Sequence, residues 1–200
     1  MNLLIDTLPT TVIIDKKEYD INSCFRTSIL FELLMLDRTI EDEEKLVRAL
    51  ELYYPKLPHD IGQAIDKMLW FFRCGQDEIN QLTGAGGGRK NKQPIYSFEY
   101  DADYIYSAFM DQYGIDLNDI DYLHWWKFKA LFKSLKEDNE IVKIMGIRAM
   151  DTSKLPKEQK EYYNKMKKIH QIPISKEEKE IQDALTKALL TGGNIAELLN

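Results

Sequence analysis

The sequence has few cysteines and no long hydrophobic segment. Cys24 and Cys74 are its only cysteines, and each stands within an apolar helical pattern, which predicts buried free thiols rather than a disulfide framework. No run approaches the roughly 18 consecutive apolar residues of a membrane span. Residues 1–6 lack the basic start and the apolar core of a signal peptide. These absences predict an intracellular protein that does not enter a membrane.

Catalytic and metal-binding patterns are missing as well. His59, His124 and His170 stand far apart, and neither a nucleophile elbow nor a dinucleotide fingerprint occurs. The glycine-rich stretch 84–90 lacks the Walker spacing with a Ser or Thr after its lysine. We interpret His124, on an apolar helical face, as a satisfied core histidine rather than a general base. The sequence therefore predicts no enzyme, no metal site and no cofactor, and leaves binding and assembly.

The charge is negative overall but unevenly distributed. A net charge of −6 argues against a nucleic-acid binder, because neutralising phosphates requires a basic surface. Residues 154–171, however, contain six lysines against two glutamates, a local charge of +4. We interpret these lysines as the solvated face of an amphipathic helix, with an acidic partner surface as the second interpretation. A nucleic-acid-binding regulator that uses this helix is the third hypothesis for function.

Residues 1–75 are predicted to form a β-hairpin followed by three helices. The β-branched run 10–14 and the segment 19–21 flank a polar turn, which is typical of a short hairpin that must pack on something. The first helix, capped by Asn22 or Ser23 and running through Phe25 to Leu36, is apolar on nearly every side. We expect it to be the buried centre of this part. Two amphipathic helices follow it, the second of them capped by Asp60.

The remaining chain is predicted to contain a linker and a second helical part. Residues 76–93 are rich in glycine and lysine without apolar periodicity, which favours a flexible linker. Residues 94–172 form the second part, in which Arg148 is expected to pair with Asp151. Residues 173–200 are predicted to form a C-terminal amphipathic helix and a tail. The predicted fold is mainly α, a helical bundle with a small N-terminal β-hairpin, in two helical parts joined by the linker.

A helix with two adjacent tryptophans has two apolar faces. Its main face includes Trp125, while Trp126 points away and shares a narrower stripe with Leu123 and Ala130. Either another helix of the same domain covers this stripe, or the stripe binds a partner, where rigid aromatic side chains contribute most. We name Leu123, Trp126 and Ala130 as candidate partner-binding residues. The stripe of the C-terminal helix is the second candidate surface, with Ile181, Leu185 and Leu189.

Six segments of the chain carry a resemblance to a known family: Leu8 to Thr10, Ile21 to Arg26, Tyr104 to Leu117, Leu123 to Phe128, Gly146 to Asp151 and Tyr162 to Lys168. The paired tryptophans with the Ile-Arg-x-x-Asp element are the most specific part. Together the segments resemble the bacteriophage protein family of the gene-product-fifteen type, found in siphophages and prophages of Gram-positive bacteria. The resemblance covers about residues 8–170, and the linker and residues 173–200 fall outside it.

The resemblance implies a role in tail morphogenesis. Proteins of this type are encoded in the tail module beside the tape measure protein, which implies a non-enzymatic tail assembly chaperone in the cytoplasm of the bacterial host. A tape measure protein is a long helical chain whose apolar stripes aggregate until tube subunits enclose it. The implied partners are this protein and possibly the tail tube protein, together with further copies or a companion assembly chaperone. The alternative is a structural virion component, such as a neck or tail-completion protein.

Overall fold

The computed structural model describes residues 2–76 and 94–173. These residues form a two-stranded sheet and seven α-helices, which confirms the predicted mainly α fold with its N-terminal hairpin. The strands are β1 (Thr11–Ile14) and β2 (Lys17–Asp20). The helices are α1 (Phe25–Leu36), α2 (Asp42–Tyr53), α3 (Ile61–Phe72), α4 (Ala102–Tyr113), α5 (Trp125–Lys133), α6 (Glu140–Ala149) and α7 (Lys157–Ile169).

The hairpin is a tight antiparallel pair that packs on α3. Val12 lies opposite Tyr19 across the two strands. Asp15 and Lys16 form the two-residue turn at φ values of 46° and 61°, the left-handed backbone that such turns require. Val12 and Ile14 on one face of β1 are buried, and β1 contacts α3. This contact supplies the packing that an isolated two-stranded hairpin needs in water.

The helices α1 and α2 form an antiparallel pair. The backbone N of Asn22 donates to the carbonyl oxygen of Tyr53 at 2.8 Å, so the start of α1 lies against the end of α2. The end of α1 and the start of α2 therefore lie together at the opposite end. The sequence predicted that α1 is a central helix buried on nearly every side. The structure corrects this expectation, because α1 packs mainly on α2 and α5. Its remaining side exposes Leu30, Met35 and Leu36.

The two predicted helical parts share one hydrophobic core. Phe25 of α1 stacks on Phe128 of α5, and Phe128 stacks on Phe109 of α4, each with 5.0 Å between ring centroids. The backbone N of Phe25 also donates to the carbonyl oxygen of Leu123 at 2.9 Å. The predicted domain boundaries stay a prediction, but residues from before and after 77–93 pack against each other.

The helix α7 lies at the edge of the fold. It packs on α6, which in turn packs on α4. No α7 side chain is fully buried, and Tyr163 and Met166 are half-buried on the side that faces the rest of the chain. The lysines of α7 are therefore presented mainly to solvent, as the sequence predicts for an amphipathic helix.

Candidate partner-binding surfaces

The two tryptophans of α5 bind the end of α3. Nε1 of Trp125 donates to the carbonyl oxygen of Phe72, and Nε1 of Trp126 donates to that of Phe71, both at 2.8 Å. The last carbonyls of a helix lack a full set of partners within it, so the two indoles supply donors where α3 ends. The adjacent tryptophans thus join α5 to α3, which the sequence places more than fifty residues earlier.

The ring of Trp126 is enclosed by the segment in which α3 ends. Trp126 is only 5% exposed, and its ring centroid lies 5.5 Å from that of Trp70. Gly75 follows α3 with a φ of 72°, and a Cβ built on it would lie 2.9 Å from the Trp126 ring. The glycine therefore permits both the left-handed backbone and the close approach of the indole.

The narrower stripe of the two-tryptophan helix is covered by other segments of the same chain, which agrees with the first of the two interpretations. Leu123 and Trp126 are buried, and Ala130 is half-buried. Partner binding by these residues stays a prediction, since each has intramolecular neighbours in this structure. The three residues of the second candidate surface lie outside the described residues: Ile181, Leu185 and Leu189.

His124 caps α5 through its imidazole ring. Nδ1 accepts a hydrogen bond from the backbone N of Trp126 at 3.0 Å, so the ring proton is on Nε2, which lies 3.0 Å from the carbonyl oxygen of Pro9. Burial is the main cause that lowers the pKa of His124, which favours this neutral form. Both ring nitrogens have backbone partners, as expected of a satisfied core histidine. Its place before the helix was missed because histidine is not among the common N-cap residues.

A group of titratable side chains lies in the interior beside α1. Glu32 Oε2 and the Tyr96 hydroxyl are both buried without a hydrogen-bond partner among the described residues. Burial raises the pKa of Glu32, and the positive charge of Lys129 opposes this shift. Burial also raises the pKa of the Cys74 thiol to about 11. The described residues contain no group of three or more His, Cys, Asp or Glu side chains that could hold a metal ion.

Arg148 of α6 connects segments from across the second part. Its guanidinium binds both carboxylate oxygens of Asp101, at 2.5 and 2.9 Å. It also donates to the carbonyl oxygens of Ile95 and His170, at 3.1 and 2.6 Å. The structure therefore corrects the expected pair with Asp151. Because Asp101 presents both oxygens to the planar guanidinium, it offers a bidentate geometry.

Exposed apolar side chains lie on both helices of the α1–α2 pair, at the end of α1 and in the first half of α2. Four exposed residues form this surface, which we call the α1–α2 tip: Met35, Leu36, Leu46 and Val47. Leu36 is 61% exposed and Val47 is 56% exposed. Single exposed apolar side chains are ordinary, but several of them on one helical pair make that pair a candidate interaction site. The sequence pattern had assigned most of this surface to the core.

None of the helices that the structure describes is long and apolar enough to cross a membrane.

Comparison with known protein families gives a match over most of the chain. The sequence matches the family described as Bacteriophage Gp15 protein over residues 4–172. This range begins before β1 and ends after α7, so it includes every described strand and helix. No curated protein and no solved structure matches the chain.

Proposed function

Because the chain belongs to the bacteriophage Gp15 protein family, we propose that it is a tail assembly chaperone that binds the tape measure protein in the cytoplasm of the bacterial host. Family membership makes it a structural or assembly-related phage protein. The observation that carries the more specific proposal is the exposed apolar surface of the α1–α2 tip.

The α1–α2 tip suits a client that is a helix with an apolar stripe. Leu36 and Val47 project from neighbouring helices, and a client helix lying across them removes apolar surface from water on both molecules. A tape measure protein that has not yet been enclosed by tube subunits presents such stripes along its length. Covering them prevents aggregation until the tube assembles.

The size of the surface predicts weak binding by each copy. Burying a whole Leu, Val or Met side chain contributes about 1.5–3 kcal/mol, so covering the exposed parts of four tip residues contributes about 4 kcal/mol. Association itself costs about 4 kcal/mol or more. Stable coverage therefore requires several copies on one client, where multivalency strengthens the complex. Weak individual contacts also allow tube subunits to displace the chaperone copies one by one.

Co-expression with the tape measure protein of the same phage tests the proposal. The tape measure protein is expected to become soluble and to co-purify with this chain. The double variant Leu36→Glu/Val47→Glu is expected to leave it insoluble, because two buried carboxylates would oppose the client's apolar stripe. Solubilisation by this variant as effective as by the wild type would refute the role of the tip.

A matched control keeps the change in charge but moves it away from the tip. Leu57 precedes α3 and Ile61 is its first residue, and both are exposed. The variant Leu57→Glu/Ile61→Glu is expected to solubilise the client as the wild type does. Circular dichroism of all three proteins checks that each remains folded. If the wild-type chain itself fails to solubilise the tape measure protein, the chaperone proposal is wrong.

Mass spectrometry of purified virions provides an independent check. A chaperone that tube subunits displace is expected to be absent from the finished particle. A constant number of copies in each particle would instead assign the chain to the structural components of the virion, such as a neck or tail-completion protein.

A further inference from the structure

The helix α4 has one face that no described element covers. Ile105, Ala108 and Phe109 are buried toward the core, so the residues on the opposite side of the helix point to solvent. Tyrosine and methionine on that side provide apolar contact area between carboxylates. We call this side the α4 outer face, with the exposed residues Asp103, Tyr104, Ser107, Met110 and Asp111.

The charge on the α4 outer face is entirely negative. From Pro94 to Trp126 the sequence contains no lysine or arginine. No lysine or arginine elsewhere in the described chain forms an ion pair with Asp103 or Asp111. A face of this composition favours a basic helix that also carries apolar side chains. Flanking segments extend the negative charge through the exposed residues Glu99, Asp119 and Asp121.

The helix α7 has the complementary composition. Lys157–Ile169 contains five lysines against Glu158 and Glu161, which leaves a charge of +3. None of these lysines forms an ion pair within residues 2–76 and 94–173. Tyr162 and Ile169 are exposed on the same helix. Positive charge without an ion pair among the described residues therefore lies beside exposed apolar area on α7, as such negative charge does on α4.

The charges on the two helices also match in spacing. Asp103 and Asp111 are eight residues apart with the uncharged Ser107 midway, and Lys157 and Lys165 are eight residues apart with Glu161 midway on the same side of the helix. Eight residues of α-helix span about 12 Å, so two such helices side by side align both carboxylates with both ammonium groups. We propose that the α4 outer face of one copy of this chain binds α7 of a second copy.

A second copy is the favoured occupant because α7 does not cover the α4 outer face of its own chain. Arg148 holds the carbonyl oxygen of His170, at the end of α7, and at the same time Asp101, which precedes α4. This places the end of α7 beside the start of α4 and leaves the outer face open. Two copies related by a two-fold axis form the contact twice, since each carries both surfaces. The association goes beyond the proposed function and uses a surface other than the α1–α2 tip.

Sedimentation velocity of the full-length chain tests the proposal. The wild type is expected to associate as its concentration rises, with a dissociation constant about tenfold higher at about 500 mM salt than at about 50 mM, because exposed charge pairs are screened. The variants Asp103→Lys/Asp111→Lys and Lys157→Glu/Lys165→Glu are each expected to remain monomeric where the wild type associates. Mixed in equal amounts, the two variants are expected to associate again, because each reversed face meets the reversed face of the other.

A control on α2 has the same spacing and the same change in charge. Glu43 and Glu51 are exposed and eight residues apart, and Glu43→Lys/Glu51→Lys is expected to associate as the wild type does. A wild type that stays monomeric at low salt overturns the proposal, as does a mixture of the two reversed variants that fails to associate. Leu36→Glu/Val47→Glu, which lacks the client surface, is expected to self-associate normally. The two proposals therefore fail independently of each other.

Discussion

Replacing Arg148 by alanine tests the structural account of the second part. The Arg148 side chain is 10% exposed and that of its partner Asp101 is 2% exposed, so the change removes the guanidinium from a buried carboxylate. It also removes donors from the carbonyl oxygens of Ile95 and His170. Truncating one member of a buried pair leaves the other charge uncompensated, which typically costs about 3–5 kcal/mol. Among the described residues, Asp101 would then retain the hydrogen bond from the backbone N of Ser97.

We therefore expect the free energy of unfolding to fall by about 4 kcal/mol, a large part of the roughly 5–15 kcal/mol of a typical domain. Urea unfolding followed by circular dichroism measures this change. The thermal midpoint is expected to fall by about 8–16 °C, since each kcal/mol shifts a chain of this size by about 2–4 °C. Arg148→Lys is expected to lose about half as much, because an ammonium keeps the charge without the bidentate contact.

Lys143→Ala on the same helix is the matched control. Lys143 pairs with Glu140 at 3.4 Å, and both side chains are about half exposed. Its loss is expected to change the free energy of unfolding by less than about 0.5 kcal/mol. If Arg148→Ala also costs less than about 1 kcal/mol, Asp101 is solvated in solution. The conclusion that Arg148 joins α6 to the start of α4 and the end of α7 would then be wrong.

Three further predictions concern buried groups. Glu32→Gln is expected to increase the free energy of unfolding near neutral pH, because burial raises the folded pKa of Glu32. In the wild type, the stability that the Glu32 carboxyl contributes is fully present below its ordinary pKa of 4.5 and is lost as the pH rises through the higher folded pKa. Urea unfolding at a series of pH values across this range measures the loss. Gly75→Ala is expected to destabilise the fold by about 1–3 kcal/mol in thermal unfolding, because of its positive φ and the nearby ring of Trp126. Cys74, with its pKa raised to about 11, is expected to resist iodoacetamide in the folded chain and to react after unfolding, as mass spectrometry can show.

The elements of the fold were predictable where neighbours a few residues apart determine them. The first helix was predicted to run through Phe25 to Leu36, and it is found there, because its apolar residues recur at helical spacing. Its predicted cap at Asn22 or Ser23 was wrong, since Cys24 precedes the first helical residue and no side chain caps it. Asp60 was predicted to cap the third helix, and its carboxylate accepts a hydrogen bond from the backbone N of Gln63 at 2.9 Å. The hairpin turn followed in the same way from the polar residues between the β-branched run 10–14 and the segment 19–21.

Contacts between distant segments were not predictable from spacing. Arg148 binds Asp101, 47 residues earlier, although Asp151 stands one turn away along the chain. Trp126 binds the carbonyl of Phe71, 55 residues earlier. Helical periodicity states which residues share a face, but it does not state which element covers that face. Both contacts depend on how α3, α4 and α6 are arranged around the shared core.

The same ambiguity explains why the sequence pointed to the wrong helix as the buried centre. A helix that is apolar on all sides is normally buried, and α1 satisfies that pattern, yet it packs on neighbours along only part of its circumference. Apolar residues that serve a client have the same pattern as apolar residues of a core, so exposure in the folded chain separates them. Trp126→Ala would destabilise the chain by removing a buried indole, at a cost of about 3–5 kcal/mol. Leu36 and Val47 are more than half exposed, so substitutions there remove much less buried contact, and a loss of client binding reports mainly on the surface.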